Sequence, residues 1–119
     1  MKHEIMWWMS RLTIMLTSLF LSFSLAAQAY AAEVTMGSNG NLVFEPNDIT
    51  INAGETITFT NGALPPHNMI VKDHPELSHG DLAFATGDSF DVTFPDAGDF
   101  EFQCDPHAGA GMKGVIHVQ

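Results

Sequence analysis

Three side chains with affinity for soft metals fall within nine residues near the C-terminus. In the stretch CDPHAGAGM, Cys104 brings a thiol, His107 an imidazole and Met112 a thioether. Cys104 is the only cysteine of the 119-residue chain, so it has no intramolecular disulfide partner. In an exported protein such a thiol is buried, joined to another chain, modified or bound to metal. Pro106, Gly109 and Gly111 oppose a regular α-helix here and let the segment fold back tightly, so that three side chains can turn toward one point. Thiolate and thioether select soft metals, and one cysteine, two histidines and a weak axial methionine make up the donor set of a blue-copper centre. The loop carries three of these four, so a second histidine is needed from upstream.

His67 is the candidate. In LPPHNMIV, Pro65 and Pro66 fix the backbone ahead of it, an apolar run follows it, and Asn68 is placed to hydrogen-bond around the ligands. His74 and His79 stand in the polar stretch KDHPELSHGD and read as solvated loop residues, while His117 alternates with Ile116 and Val118 and reads as outward-facing. Met36 and Met69 lie in β-prone runs and read as packing residues. Met112 sits among glycines with no apolar period to account for it.

The elements that must position these donors are strands. The runs EVTMG, NLVFEP, DITINAGE, TITFTNG, NMIVKD, SFDVTFPDAG, DFEFQC and GVIHV are short, β-prone and punctuated by turn residues, which indicates an all-β sandwich or barrel. Ile49 and Ile51, Ile57 and Phe59, Phe90, Val92 and Phe94, and Phe100 and Phe102 each mark one inward face. Asn39-Gly40, Ala53-Gly54, Asn61-Gly62 and Ala97-Gly98 are the expected turns. Continuing Phe100 and Phe102 by one more period puts Cys104 inward, with Glu101 and Gln103 outward. A thiol buried in this way stays protonated and inert unless a cation stabilises the thiolate.

The N-terminus sets the compartment. Lys2 and Arg11 precede an apolar run over residues 12–27, and small residues follow around Ala29 and Ala31. This is the layout of a secretory signal, and the run falls short of the roughly 20 residues that span a bilayer. Cleavage after Ala31 leaves one domain over residues 32–119, small enough that a bound metal would add materially to its stability. That domain holds Lys72 and Lys113 against thirteen acidic residues, a formal charge of minus eleven with histidines neutral. Nucleic acid is excluded as a partner on charge, and basic protein surfaces are favoured.

CDPHAGAGM and PPHN, set in the framework NLVFEPNDITINAGE, LSHGDLAFATGDSF and GDFEFQC, resemble the plastocyanin family, particularly its cyanobacterial members. The resemblance covers residues 33–119; other cupredoxins, such as pseudoazurin and amicyanin, close the same site with differently composed loops. It implies a cupredoxin-like Greek-key β-sandwich of about eight strands, with one copper ion at one end held by His67, Cys104, His107 and Met112. It further implies a soluble monomeric electron carrier rather than an enzyme, shuttling between cytochrome f of the cytochrome b6f complex and photosystem I in the thylakoid lumen. Docking would be brief, through an apolar patch of Gly40, Leu42, Leu64, Pro66, Pro106 and Gly111 around the edge of His107.

Three positions depart from that family's pattern. Gln103 stands where a tyrosine usually precedes the cysteine, Ala108 stands where cyanobacterial members commonly carry arginine, and KDHPELSHGD is short and lacks a dense acidic run. These touch partner contacts and leave the ligand set intact. A periplasmic cupredoxin serving another redox partner would share the site. A copper-storage or delivery protein would favour exposed methionines or an open Cu(I) site. An enzyme using Cys104 as nucleophile is opposed by the inward parity of Cys104 and by the lack of an oxyanion-hole motif.

Overall fold

The structure is a computed structural model that describes residues 32–119. The expected signal segment, residues 1–31, lies outside the described residues. Nine strands follow in order: β1 (Ala32–Met36), β2 (Phe44–Glu45), β3 (Asp48–Ile51), β4 (Thr56–Asn61), β5 (His67–Val71), β6 (His79–Ala83), β7 (Ser89–Thr93), β8 (Gly98–Gln103) and β9 (Lys113–Val118). They form two sheets, β2-β1-β4-β7 and β3-β9-β8-β5-β6. The chain passes repeatedly from one layer to the other, and two of its pairings, β1 with β4 and β3 with β9, are parallel. Parallel neighbours cannot be joined by a tight hairpin, so each such pair closes only after the chain has crossed the other sheet. The result is the expected sandwich.

Alternation accounts for the core. Ile49, Ile51, Ile57, Phe59, Phe94, Phe100 and Phe102 are buried, together with Met36 and Met69. Phe102 joins the two layers: its ring centroid lies 4.7 Å from Phe44 and 6.0 Å from Phe59, in edge-to-face geometry. Such contacts add to an aromatic's area burial, and truncating a buried phenylalanine to alanine costs about 3–5 kcal/mol. The parity carries on to Cys104, which is buried, whereas Glu101 is exposed and Gln103 half-buried. The strand that carries the thiol is therefore anchored in the aromatic core two residues before it.

The eight expected strands are present, and the ninth, β6, is an addition. Its sequence HGDLA has no alternating apolar face and only half-buried ends, so nothing local calls for a strand. It is held from outside instead. His67 and Met69 of β5 pair with Ala83 and His79 across an irregular register. The Asn68 amide donates to the Gly80 carbonyl at 3.1 Å, and the Asn61 amide donates to the carbonyls of Ala83 and Ala85, both at 3.0 Å. His79 is accordingly not a solvated loop residue: its ring stacks on Phe90 at 3.9 Å and 8°. His74 does stay in a loop, where Nδ1 lies 2.9 Å from the Glu76 carboxylate. Asn39-Gly40 and Ala53-Gly54 adopt positive φ as expected (for Ala53-Gly54, at the glycine). Asn61-Gly62 does not, because Asn61 ends β4 as a buried residue.

His117 faces outward between two carboxylates. Nδ1 lies 2.7 Å from Asp99 on β8, and Nε2 lies 3.1 Å from Asp48 on β3. Only a doubly protonated imidazole donates to both, and the hydrogen bond to Asp99 raises its pKa above the ordinary 6.5. A group whose pKa is raised by folding contributes stability that is full below its unfolded pKa and is lost as pH rises through the folded value. Thermal melts of wild type and His117→Gln should therefore diverge most at acidic pH and converge above the raised pKa. Parallel curves across that range would show that the imidazolium bridge contributes nothing.

Candidate metal centre

The centre is built from the first residue of β5 and the connection between β8 and β9. His67 opens β5 and is completely buried. Its Nε2 lies 2.7 Å from the Ala63 carbonyl, a contact that requires Nε2 to carry the proton, which leaves the lone pair on Nδ1 free. That Nδ1 lies 3.8 Å from the sulfur of Cys104. A hydrogen bond from the far nitrogen is the usual means of fixing the tautomer and ring orientation of a metal-binding histidine.

Residues Asp105–Ala110 form a 3₁₀ helix, which is compatible with Pro106 in its first turn and with glycines that disfavour an α-helix. Gly111 ends it in the left-handed region at φ 89°, a conformation that costs glycine little. Backbone hydrogen bonds then close the loop: the Cys104 N–H donates to the Met112 carbonyl at 3.1 Å, and the Met112 N–H donates to the His107 carbonyl at 3.2 Å. Cys104 and Met112 are both fully buried. His107 is half-buried, its Nδ1 3.5 Å from the Cys104 sulfur and its ring 5.1 Å from that of His67.

The donor atoms of His67, Cys104 and His107 all lie within 4.8 Å of one another. Bonds of about 2.0–2.3 Å meeting at a tetrahedral or trigonal angle separate a sulfur from a nitrogen by about 3.5–3.8 Å, and the two sulfur-to-nitrogen distances here are 3.5 and 3.8 Å. The residues present thus fit a single small soft cation. Burial pushes the Cys104 thiol up, against the opposing pull of backbone hydrogen bonds at Asn68 and His107. Burial and the neighbouring His67 hold His107 below the ordinary histidine range. The metal-free site accordingly presents a neutral imidazole and a protonated thiol, and metal binding releases the thiol proton.

The surrounding residues brace this geometry. Asn68 Oδ1 accepts the Asp105 N–H at 2.9 Å while its amide holds β6, so the start of the loop is tied to β5. Of the residues expected to meet a partner, Gly40, Leu64, Pro106 and Gly111 are exposed, and Leu42 and Pro66 are half-buried. Ala108 is half-buried. Sequence reasoning missed Gly37 and the Ala63 carbonyl. A Cβ on Gly37 would lie 1.9 Å from that carbonyl oxygen and 2.7 Å from His67 Nε2, and Gly37 has φ +82°. Nothing in the MGSNG stretch signals this contact, which exists only once β1 and the segment after β4 are side by side.

Fold and donor set together define a β-sandwich with a mononuclear soft-metal centre. A family profile described as "Copper binding proteins, plastocyanin/azurin family" matches residues 31–119. The plastocyanin of Scenedesmus fuscus is 48% identical over 96 residues, covering 72% of this chain and 97% of that one. The chloroplastic plastocyanin of Oryza sativa subsp. indica is 45% identical over 106 residues, covering 82% and 69% respectively. Among solved structures, oxidised plastocyanin from Dryopteris crassirhizoma aligns with a TM-score of 0.66 at 31% identity, covering 74% of this chain and 100% of that one. Amicyanin from Paracoccus versutus aligns at 0.61 and 26% identity, covering 78% and 85%.

The chain belongs to the plastocyanin/azurin family of copper-binding proteins. It is a blue-copper electron carrier of the plastocyanin type, and copper is its cofactor.

Gly37→Ala should displace the Ala63 carbonyl from His67 and impose a strained backbone, lowering stability by about 1–3 kcal/mol and weakening copper retention. Thermal melts and competition with a copper chelator check both effects. An alanine variant that melts and retains copper like wild type would refute the bracing role.

Proposed function

We propose that Cys104 Sγ, His67 Nδ1, His107 Nδ1 and the Met112 thioether hold one copper ion that alternates between Cu(I) and Cu(II). On this reading residues 1–31 are a removed export signal, and residues 32–119 carry single electrons from cytochrome f of the cytochrome b6f complex to photosystem I in a cyanobacterial thylakoid lumen. The convergence of the three donor atoms of His67, Cys104 and His107 within 4.8 Å is the observation that carries it. The relatives that match at 45–48% identity over most of this chain are plastocyanins, which supports the choice of partners.

When bound, copper supplies the one-electron couple; the protein's part is to keep the donors still. The Ala63 carbonyl fixes the His67 ring, and the closed loop fixes Cys104 against Met112. A donor set held by the fold, and suiting neither oxidation state's ideal geometry fully, needs little rearrangement as the charge changes. With four protein donors no position is left for a substrate, which is why no enzymatic turnover is assigned. His67 and Cys104 are buried while His107 is half-buried, so the His107 edge is the short way out for an electron. The flanking residues Gly40, Leu42, Leu64, Pro66, Pro106 and Gly111 would form the apolar contact, small and short-lived as redox encounters are. The single-copy carrier's acidic field would steer basic partner surfaces toward it.

A periplasmic carrier of the amicyanin or pseudoazurin kind would use the same ligands, and the likeness to amicyanin favours keeping that reading in view. Fast reduction by cytochrome f with fast oxidation by photosystem I selects the first; slow exchange with both selects the second.

Copper(II) reconstitution of residues 32–119 should give an intense blue thiolate-to-copper band that vanishes on one-electron reduction. A colourless or merely pale copper protein would sink the assignment. Cys104→Ser should abolish the band. Met112→Leu should keep the colour and shift the potential, and an unshifted potential would remove Met112 from the ligand set.

A further inference from the structure

Residues 32–119 contain two Asn-Gly pairs, Asn39-Gly40 and Asn61-Gly62, and the fold treats them oppositely. The dipeptide has a chemistry of its own. With no side chain on the glycine to obstruct it, the glycine main-chain nitrogen can attack the carbonyl carbon of the asparagine side chain and close a cyclic imide. The attack needs three things: a main-chain N–H that is not held in a hydrogen bond, a side-chain amide that can swing toward it, and open space around the glycine.

Asn61-Gly62 has none of them. Asn61 is 1% exposed, and its amide nitrogen is held by the carbonyls of Ala83 and Ala85, both at 3.0 Å. The Gly62 N–H donates to the Met36 carbonyl at 2.8 Å. A Cβ on Gly62 would lie 2.5 Å from the Gly37 carbonyl oxygen, so the backbone there is crowded.

Asn39-Gly40 has all three. Both residues are exposed in the loop between β1 and β2. Their φ angles of 52° and 74° and the Asn41 N–H donating to the Ser38 carbonyl at 2.9 Å make a tight turn of the type I′ kind. Neither the Gly40 N–H nor the Asn39 side chain enters a hydrogen bond among the described residues; the Asn41 amide reaches only the Asn39 main-chain oxygen, at a long 3.4 Å. A Cβ on Gly40 would meet nothing within 4 Å. An exposed turn of this kind reorients locally at little cost.

We propose that Asn39 is a site of spontaneous covalent modification, converted through a cyclic imide with the Gly40 nitrogen into an aspartyl or isoaspartyl link. The Gly40 nitrogen gives up its proton and bonds to Asn39 Cγ; the Cγ–Nδ2 bond breaks, and Nδ2 takes up a proton and leaves as ammonia. Water then opens the imide. Hydrolysis at Cγ restores the ordinary main chain with a carboxylate side chain, and hydrolysis at the main-chain carbon routes the chain through Cγ. No oxidant or reductant is involved. Either product places a negative charge in GSNGNLV, a stretch that has none, directly before Leu42. The isoaspartyl product also lengthens the main chain inside the turn, which disrupts the Asn41-to-Ser38 hydrogen bond. This inference goes beyond electron transfer and does not depend on the copper reading.

The test holds the copper protein in mildly alkaline buffer beside the same chain unfolded in urea. The folded protein should release a single equivalent of ammonia and gain one negative charge in isoelectric focusing. Peptide mapping should place aspartyl and isoaspartyl links at Asn39 and leave Asn61 an amide, whereas in urea both pairs should convert at comparable rates. Gly40→Ala should slow conversion of the folded protein severalfold. Because that variant strains a positive φ, Asn39→Gln is the second arm, and it should abolish ammonia release from the folded protein. The blue band should be unchanged by conversion, which separates this reaction from any failure of the copper site. Ammonia release that persists in Asn39→Gln, conversion of Asn61 alongside Asn39 in the folded protein, or a folded Asn39 still intact once the urea-unfolded chain has reacted would overturn the proposal.

Discussion

A thiolate can sit in a buried position only beside a cation, and the sulfur of Cys104 has no exposed surface. That constraint organises the molecule. In the absence of metal, burial keeps the proton on the sulfur. With a soft cation present, the same seclusion strengthens the attraction between thiolate and metal, because little water competes for either. The sulfur must therefore be delivered to a dry point where two imidazole nitrogens already wait, and the rest of the fold supplies that delivery.

Three devices accomplish it. The aromatic contact of Phe102 with Phe44 and Phe59 locks β8 into the core immediately before the cysteine. The Asn68 side chain ties the loop after Cys104 to β5, the strand that His67 opens. The absence of a side chain at Gly37 lets the Ala63 carbonyl reach the His67 ring. Each is a contact between segments distant in sequence, and together they make the donor positions a property of the packed sandwich. Such rigidity suits electron transfer, where the barrier grows with the movement that accompanies a change of charge.

The same sandwich separates two surfaces by charge and polarity. Gly40, Leu64, Pro106 and Gly111 are exposed without charge, whereas most of the acidic side chains are exposed as well and dominate the surface charge. The outer face of the five-stranded sheet gathers the two lysines, with the imidazolium of His117 held between Asp48 and Asp99 further along the same strands. A molecule of one dominant sign thus carries a local exception, and its position is set by strand register.

Much of this was legible in the sequence. Short β-prone runs between turn residues located eight strands, period-two alternation set the inward parity of Cys104, and the chemistry of thiol, imidazole and thioether in one short loop pointed to a soft metal. These are local properties, set by the two-residue repeat of a strand and by the donor atoms themselves. What tertiary structure alone decided is how separated segments meet. The strand β6 has no apolar period and exists because Asn61, Asn68 and β5 hold its backbone. His79 leaves solvent because Phe90 comes to lie beneath it. The proton on His67 is placed by a carbonyl that Gly37 admits, and Lys72 and Lys113 become neighbours through the register of β5, β8 and β9. Sequence spacing encodes which atoms are available, whereas the distances between them arise only when both sheets have packed.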